Sequence, residues 1–167
     1  MKRLLASSAI IASLLLLPLV ALAAGTATFS VTYEDSKYLE VQFVVTSHTD
    51  GSVDSPTISD GTGTAVIKHG TPLTGRIDRV IISPGAGAAQ PTDAFDVELR
   101  STTSGNTGVD YLGGLGDNLS NSAAKMDMPL TETNQGVVML AGDVLTPYAA
   151  NCGDSNQYTI KVLIAKK

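Results

Sequence analysis

From Thr28 onward, apolar residues in this chain recur at every second position and almost nowhere at helical spacing. Phe29, Val31 and Tyr33 alternate with Thr28, Ser30 and Thr32, and Leu39, Val41, Phe43 and Val45 alternate with Glu40, Gln42 and Val44. A period of two sends successive side chains to opposite faces of an extended backbone, so both runs predict half-buried strands. The polar stretch Glu34-Asp35-Ser36-Lys37 between them is short enough to close an antiparallel hairpin.

Further strands are expected at residues 64–68, 76–83, 95–99, 109–112, 125–130, 137–140, 144–148 and 158–165. Residues 47–63 read as turn chemistry, because Asp50-Gly51, Pro56 and Asp60-Gly61 crowd a stretch with little to bury. Only residues 117–125 carry a weak helical period. About eight short strands at roughly ten-residue spacing predict an all-β fold, a single antiparallel β-sandwich or jelly-roll-like domain. Its expected core is Phe29, Val31, Phe43, Val45, Ile77, Val80, Ile82, Phe95, Val97, Leu99, Val138, Leu140, Ile160, Val162 and Ile164. A one-residue slip would turn each of these sets out to water.

The first 24 residues obey a different logic. Lys2 and Arg3 precede a run, residues 4–22, that is apolar apart from Ser7, Ser8, Ser13 and Pro18, and Ala21-Leu22-Ala23 has signal-peptidase spacing. Residues 1–24 are therefore expected to be a signal peptide or, uncleaved, a hydrophobic N-terminal helix that anchors the chain; an apolar run of about 20 residues spans a bilayer. Pro18 and the small residues after it favour cleavage. Residues 25–167 would then form the β domain of an exported protein, in the periplasm, outside the cell or in a virion. That setting disfavours ATP-driven and redox-cofactor enzymes.

The net charge is −5, and removing Lys2 and Arg3 takes it to −7. Such a surface repels nucleic acid, and no basic cluster offsets it. Sixteen Gly, no Trp and 16% charged residues resemble exported β-rich proteins more than cytosolic enzymes. The single Cys152, in an Asn-Cys-Gly-Asp turn, has no partner for an internal disulfide. It is expected to be a buried, inert thiol, with a bridge between subunits as the sharper alternative.

The second half carries a resemblance. Arg79-Val80-Ile81-Ile82-Ser83-Pro84-Gly85, then Pro91-Thr92-Asp93-Ala94-Phe95-Asp96-Val97-Glu98-Leu99, then residues 109–120 with Asp110, Leu112-Gly113-Gly114, Gly116 and Asn118, come in a characteristic order. Ala141-Gly142-Asp143-Val144-Leu145-Thr146 and residues 158–165 follow. This order is similar to that of a group of small, uncharacterised phage and prophage proteins with a PTD-x-(Y/F)-DV-x-L strand, a G-x-D-hLGG-x-G-x-N segment and a C-terminal strand. The resemblance covers roughly residues 75–167. It implies a virion-associated or phage-encoded accessory protein of β-sandwich type and no enzymatic activity.

Residue chemistry adds little to that. Thr92 or Asp93 is placed to bond nearby backbone amides, Asp96 falls on the solvent side if Phe95 and Val97 face the core, and Asp117 or Asn118 is placed to start a short helical turn. Asp93, Asp96, Asp110 and Asp117 would have to converge to hold Ca²⁺, without a fixed-spacing calcium loop to bring them together. His48 and His69 are the only histidines available to a zinc site or a Ser-His-Asp triad. No nucleophile elbow, His-Glu-x-x-His pair or phosphate loop is present. Tyr33, Tyr38, Tyr111, Tyr148 and Tyr158 are expected mainly in the core, the alternative being a rim that stacks sugars.

The sequence thus leads to a non-enzymatic structural or accessory subunit of a virion or exported surface assembly, associating with itself or with other subunits. The alternative is a secreted carbohydrate- or cell-surface-binding module. No catalytic, metal or cofactor residue is assigned.

Overall fold

The computed structural model describes residues 25–53, 56–60, 67–103, 108–129 and 137–167. The expected leader, residues 1–24, lies outside them, as do residues 64–66 and Leu130.

Among the described residues nine strands form: β1 (Thr26–Glu34), β2 (Tyr38–Thr46), β3 (Thr57–Asp60), β4 (Leu73–Pro84), β5 (Asp96–Ser101), β6 (Lys125–Asp127), β7 (Met139–Asp143), β8 (Leu145–Ala150) and β9 (Gln157–Ala165). The fold is all-β. A seven-stranded sheet runs in the order β3-β1-β2-β9-β4-β6, with β7 sharing β4's outer edge with β6, and β5 and β8 form a second sheet. Bridges from Val53 to Ala149, Phe95 to Leu119 and Arg100 to Asp110 widen that second layer.

The first hairpin forms as alternation predicts. Asp35 organises its turn, its carboxylate accepting the amides of Lys37 at 2.7 Å and Tyr38 at 2.6 Å and the Tyr33 hydroxyl at 2.6 Å. Behind it β1 and β2 pair antiparallel, with Phe29 opposite Phe43 and their rings 5.3 Å apart. β9 lies at the centre, bonded to β2 and β4, and buries Tyr158, Ile160, Val162 and Ile164.

β4 breaks strict alternation. Ile77 and Val80 are three apart yet both face inward, because the β4–β9 register shifts between Ile77 and Arg79. Such an irregularity inserts one residue and returns the apolar set to the core. Gly75 has φ of 145°, and a Cβ there would collide with Ala165 O and the Ile164 side chain. Glycine lets β4 run this close to β9.

Every residue of the expected core is buried except Val31, which is half-buried against it. One cluster joins both layers, with Phe95 of the smaller layer 6.0 Å from Tyr158 of the larger. Each fully buried Val, Leu, Ile or Phe contributes about 1.5–3 kcal/mol relative to exposure.

Four expectations need correction. The sheet is mixed, because β3 runs parallel to β1. β3 itself arises within the stretch read as turn: only Ile58 of its four residues is apolar, and the backbone edge of β1 recruits it. Residues 109–112 are no strand; Tyr111 and Leu112 are consecutive and both buried, and residues 111–118 run through successive turns. Residues 117–125 are no helix, since Asn118 has φ of 49° and Leu119 is held in the bridge to Phe95.

Candidate functional site

The segment that carries the resemblance is a clamp between loops. The Thr92 amide donates to Cys152 O at 3.0 Å and its hydroxyl to Asn151 O. Asp93 accepts the Asn121 amide at 3.3 Å, and Asp96 accepts the Asn118 amide at 2.9 Å and the Asn151 side-chain amide at 3.1 Å. The expected bonds to nearby amides do not form: the Thr92 hydroxyl bonds a carbonyl, and the amide that Asp93 accepts belongs to a loop distant in sequence. Asp110 accepts the amides of Leu99 and Leu112, both at 3.0 Å. Burial outweighs those two bonds and raises its carboxyl above the usual range.

These aspartates are each occupied with amides, and among the described residues no three His, Cys, Asp or Glu side chains gather where they could hold a metal ion. His48 lies 3.3 Å from Asp50, and the hydroxyl in reach of its ring is that of the adjacent Thr49. The Ser47 hydroxyl is committed to Gly153 O at 2.6 Å. His69 packs its ring 6.0 Å from Phe29.

Cys152 is fully buried, and desolvation pushes its thiol up to about 12. The buried reading holds, and an inter-subunit bridge at this residue would need the loop to open. The tyrosines divide. Tyr111 and Tyr158 are core, Tyr148 is half-buried beneath the Arg100 guanidinium at 4.6 Å, and Tyr33 and Tyr38 are exposed.

One buried polar cluster had no signal in the sequence. Asp143 is completely buried, accepting the Ser101 hydroxyl at 2.9 Å and the Ala141 amide at 2.7 Å. It also bonds Tyr111, whose hydroxyl is pushed up to about 12 by burial first and by this carboxylate second. The cluster ties the end of β7 to the end of β5 and to the turn at residue 111.

Clefts open to solvent among the described residues include the following two. A cleft of about 350 Å³ is lined by Gly25, Thr26, Thr46, Ser47, His48, Thr49, Thr57 and Ser155. A smaller one of about 110 Å³ lies across β5 and β8, between Asp96, Glu98, Arg100 and Tyr148.

Among the described residues, four of the seven exposed large apolar side chains lie at one edge. Met126, Met128, Val137 and Met139 are large hydrophobic side chains left exposed on or beside β6 and β7, which pair with the same side of β4. Alternation alone does not reveal this, because an edge strand and an inner strand share the same pattern. No protein-family model matches the chain, and no curated protein matches it significantly.

Proposed function

We propose that this chain is a non-enzymatic structural or accessory subunit, of a phage virion or an exported surface assembly, that works by associating with copies of itself or with other subunits. The observation that carries this reading is the sheet edge at β6 and β7, where Met126, Met128, Val137 and Met139 are exposed together. An uncovered strand edge with clustered apolar side chains is a template for another chain. The resemblance of residues 75–167 to phage and prophage proteins supports the same role. Residues 1–24, as an export leader, would deliver the domain to the periplasm, the exterior or the virion surface, and would be its membrane contact only if retained. Intact-mass measurement on protein from its native source is expected to give a chain beginning near Gly25; one beginning at Met1 overturns the cleavage.

Sedimentation velocity over a wide concentration range tests the role. The expected result is a reversible shift from monomer to larger species. A second reading, a carbohydrate- or cell-surface-binding module, is favoured by the hydroxyl-lined cleft around Thr26, Thr46 and Thr57 and by exposed Tyr33 and Tyr38. A strict monomer that binds a glycan array would replace the first reading with the second.

A further inference from the structure

We infer that β6 is a self-complementary edge that joins two copies of this chain, antiparallel and centred on Met126, into one continuous sheet. This inference rests on the assembly reading above and gives it a partner and a register.

On β4, Ile81 lies opposite Met126, while the core residues Val80 and Ile82 lie opposite Asp127 and Lys125. Met126 therefore stands on the outer face of the sheet and is 61% exposed, whereas Lys125 and Asp127 point toward the other layer, beyond its rim. Carrying the alternation one residue past each end of β6 adds Ala124 and Met128 to the outer face. Among the described residues no strand bonds the far side of β6.

The sequence Ala124-Lys125-Met126-Asp127-Met128 is complementary to itself under a two-fold axis at Met126. Met126 meets the second copy's Met126, Ala124 meets Met128, and Lys125 meets Asp127 on both sides of the axis. One face of the join is then wholly apolar and the other holds two opposite-charge pairs, each favourable across strands. Other pairings fail. A two-residue slip puts Lys125 against Lys125 or Asp127 against Asp127, a one-residue slip sets charge against methionine, and an in-register parallel pairing aligns like charges. Inward-pointing charges on a short edge strand normally deter association. Here their opposite signs deter misregistered partners and admit a second copy, an isologous contact.

Two experiments on the full-length protein test this. In Met126→Cys, residues facing each other across an antiparallel ladder have Cα atoms about 4.5–5.5 Å apart, within disulfide reach. Mild oxidation is expected to give a covalent dimer at concentrations where Met139→Cys, also exposed, stays monomeric. Lys125→Asp and Asp127→Lys are each expected to weaken self-association by about tenfold, since each replaces two attractive pairs with two repulsive ones, and the double exchange is expected to restore it. All three positions are exposed, so circular dichroism should stay unchanged. No selective cross-link, or single reversals without effect, or a double exchange that does not rescue, overturns the β6 interface; if the wild type still self-associates, the assembly role stands through another surface. A wild type that sediments as a monomer at every concentration overturns the β6 interface and self-association, and leaves the assembly role only through other subunits.

Discussion

Cys152 shows how little a residue type says without its surroundings. Its thiol lies under the loop that Thr92 and Asn156 hold closed through Cys152 O, and with its ionisation pushed up to about 12 almost no thiolate forms near neutrality. A thiol reagent is expected to modify no cysteine in the native protein and one per chain in denaturant; native modification within minutes would contradict the burial. Asp110 is the second such residue. Burial raises its carboxyl in the folded protein, so the fold favours the neutral form. The group contributes fully below the unfolded carboxylate value, and that contribution is lost as pH rises through the raised folded value. Asp110→Asn keeps an acceptor for the Leu99 and Leu112 amides and has no charge to bury. Its melting temperature is expected to match wild type at about pH 3, to exceed it as pH rises above the usual carboxylate value near 4, and to keep a constant lead once pH has passed the raised folded value. The same offset already present at the acid end would show that ionisation is not the cause.

At the scale of elements, the turns at residues 111–118 are decided by one close approach. Gly116 O accepts the Val97 amide at 2.9 Å, and a Cβ on Gly116 would overlap Val97 O. Both groups are backbone, so neither can swing aside. Gly116→Ala is expected to destabilise by at least about 2–3 kcal/mol in denaturant unfolding. Gly87 is the comparison: its φ is 61° with open space around a Cβ, so Gly87→Ala should cost only about 1–2 kcal/mol. Equal costs would remove the argument for contact. The sequence places three glycines within residues 113–116; that one of them lies against β5 was not legible in it.

Across the whole molecule, the two layers meet at Phe95 and Tyr158. The Tyr158 hydroxyl reaches Tyr148 O at 3.5 Å, a weak bond, whereas its ring is wholly buried. Tyr158→Phe is therefore expected to cost less than about 1 kcal/mol and Tyr158→Ala about 3–5 kcal/mol, both read by chemical unfolding. A large loss in Tyr158→Phe would mean that the hydroxyl matters more than the packing. Alternation by itself determined the all-β class, the β1–β2 hairpin and the buried faces of β1, β2, β5 and β9, because the faces of a strand are set by its own period. The β4 irregularity, the parallel β3 and the turns at 111–118 were decided only by tertiary structure. Each depends on where a neighbouring backbone presents its amides and carbonyls, which no local pattern encodes. The same holds for the exposed edge: the sequence placed Met126 between Lys125 and Asp127, but only the sheet order left that strand outermost.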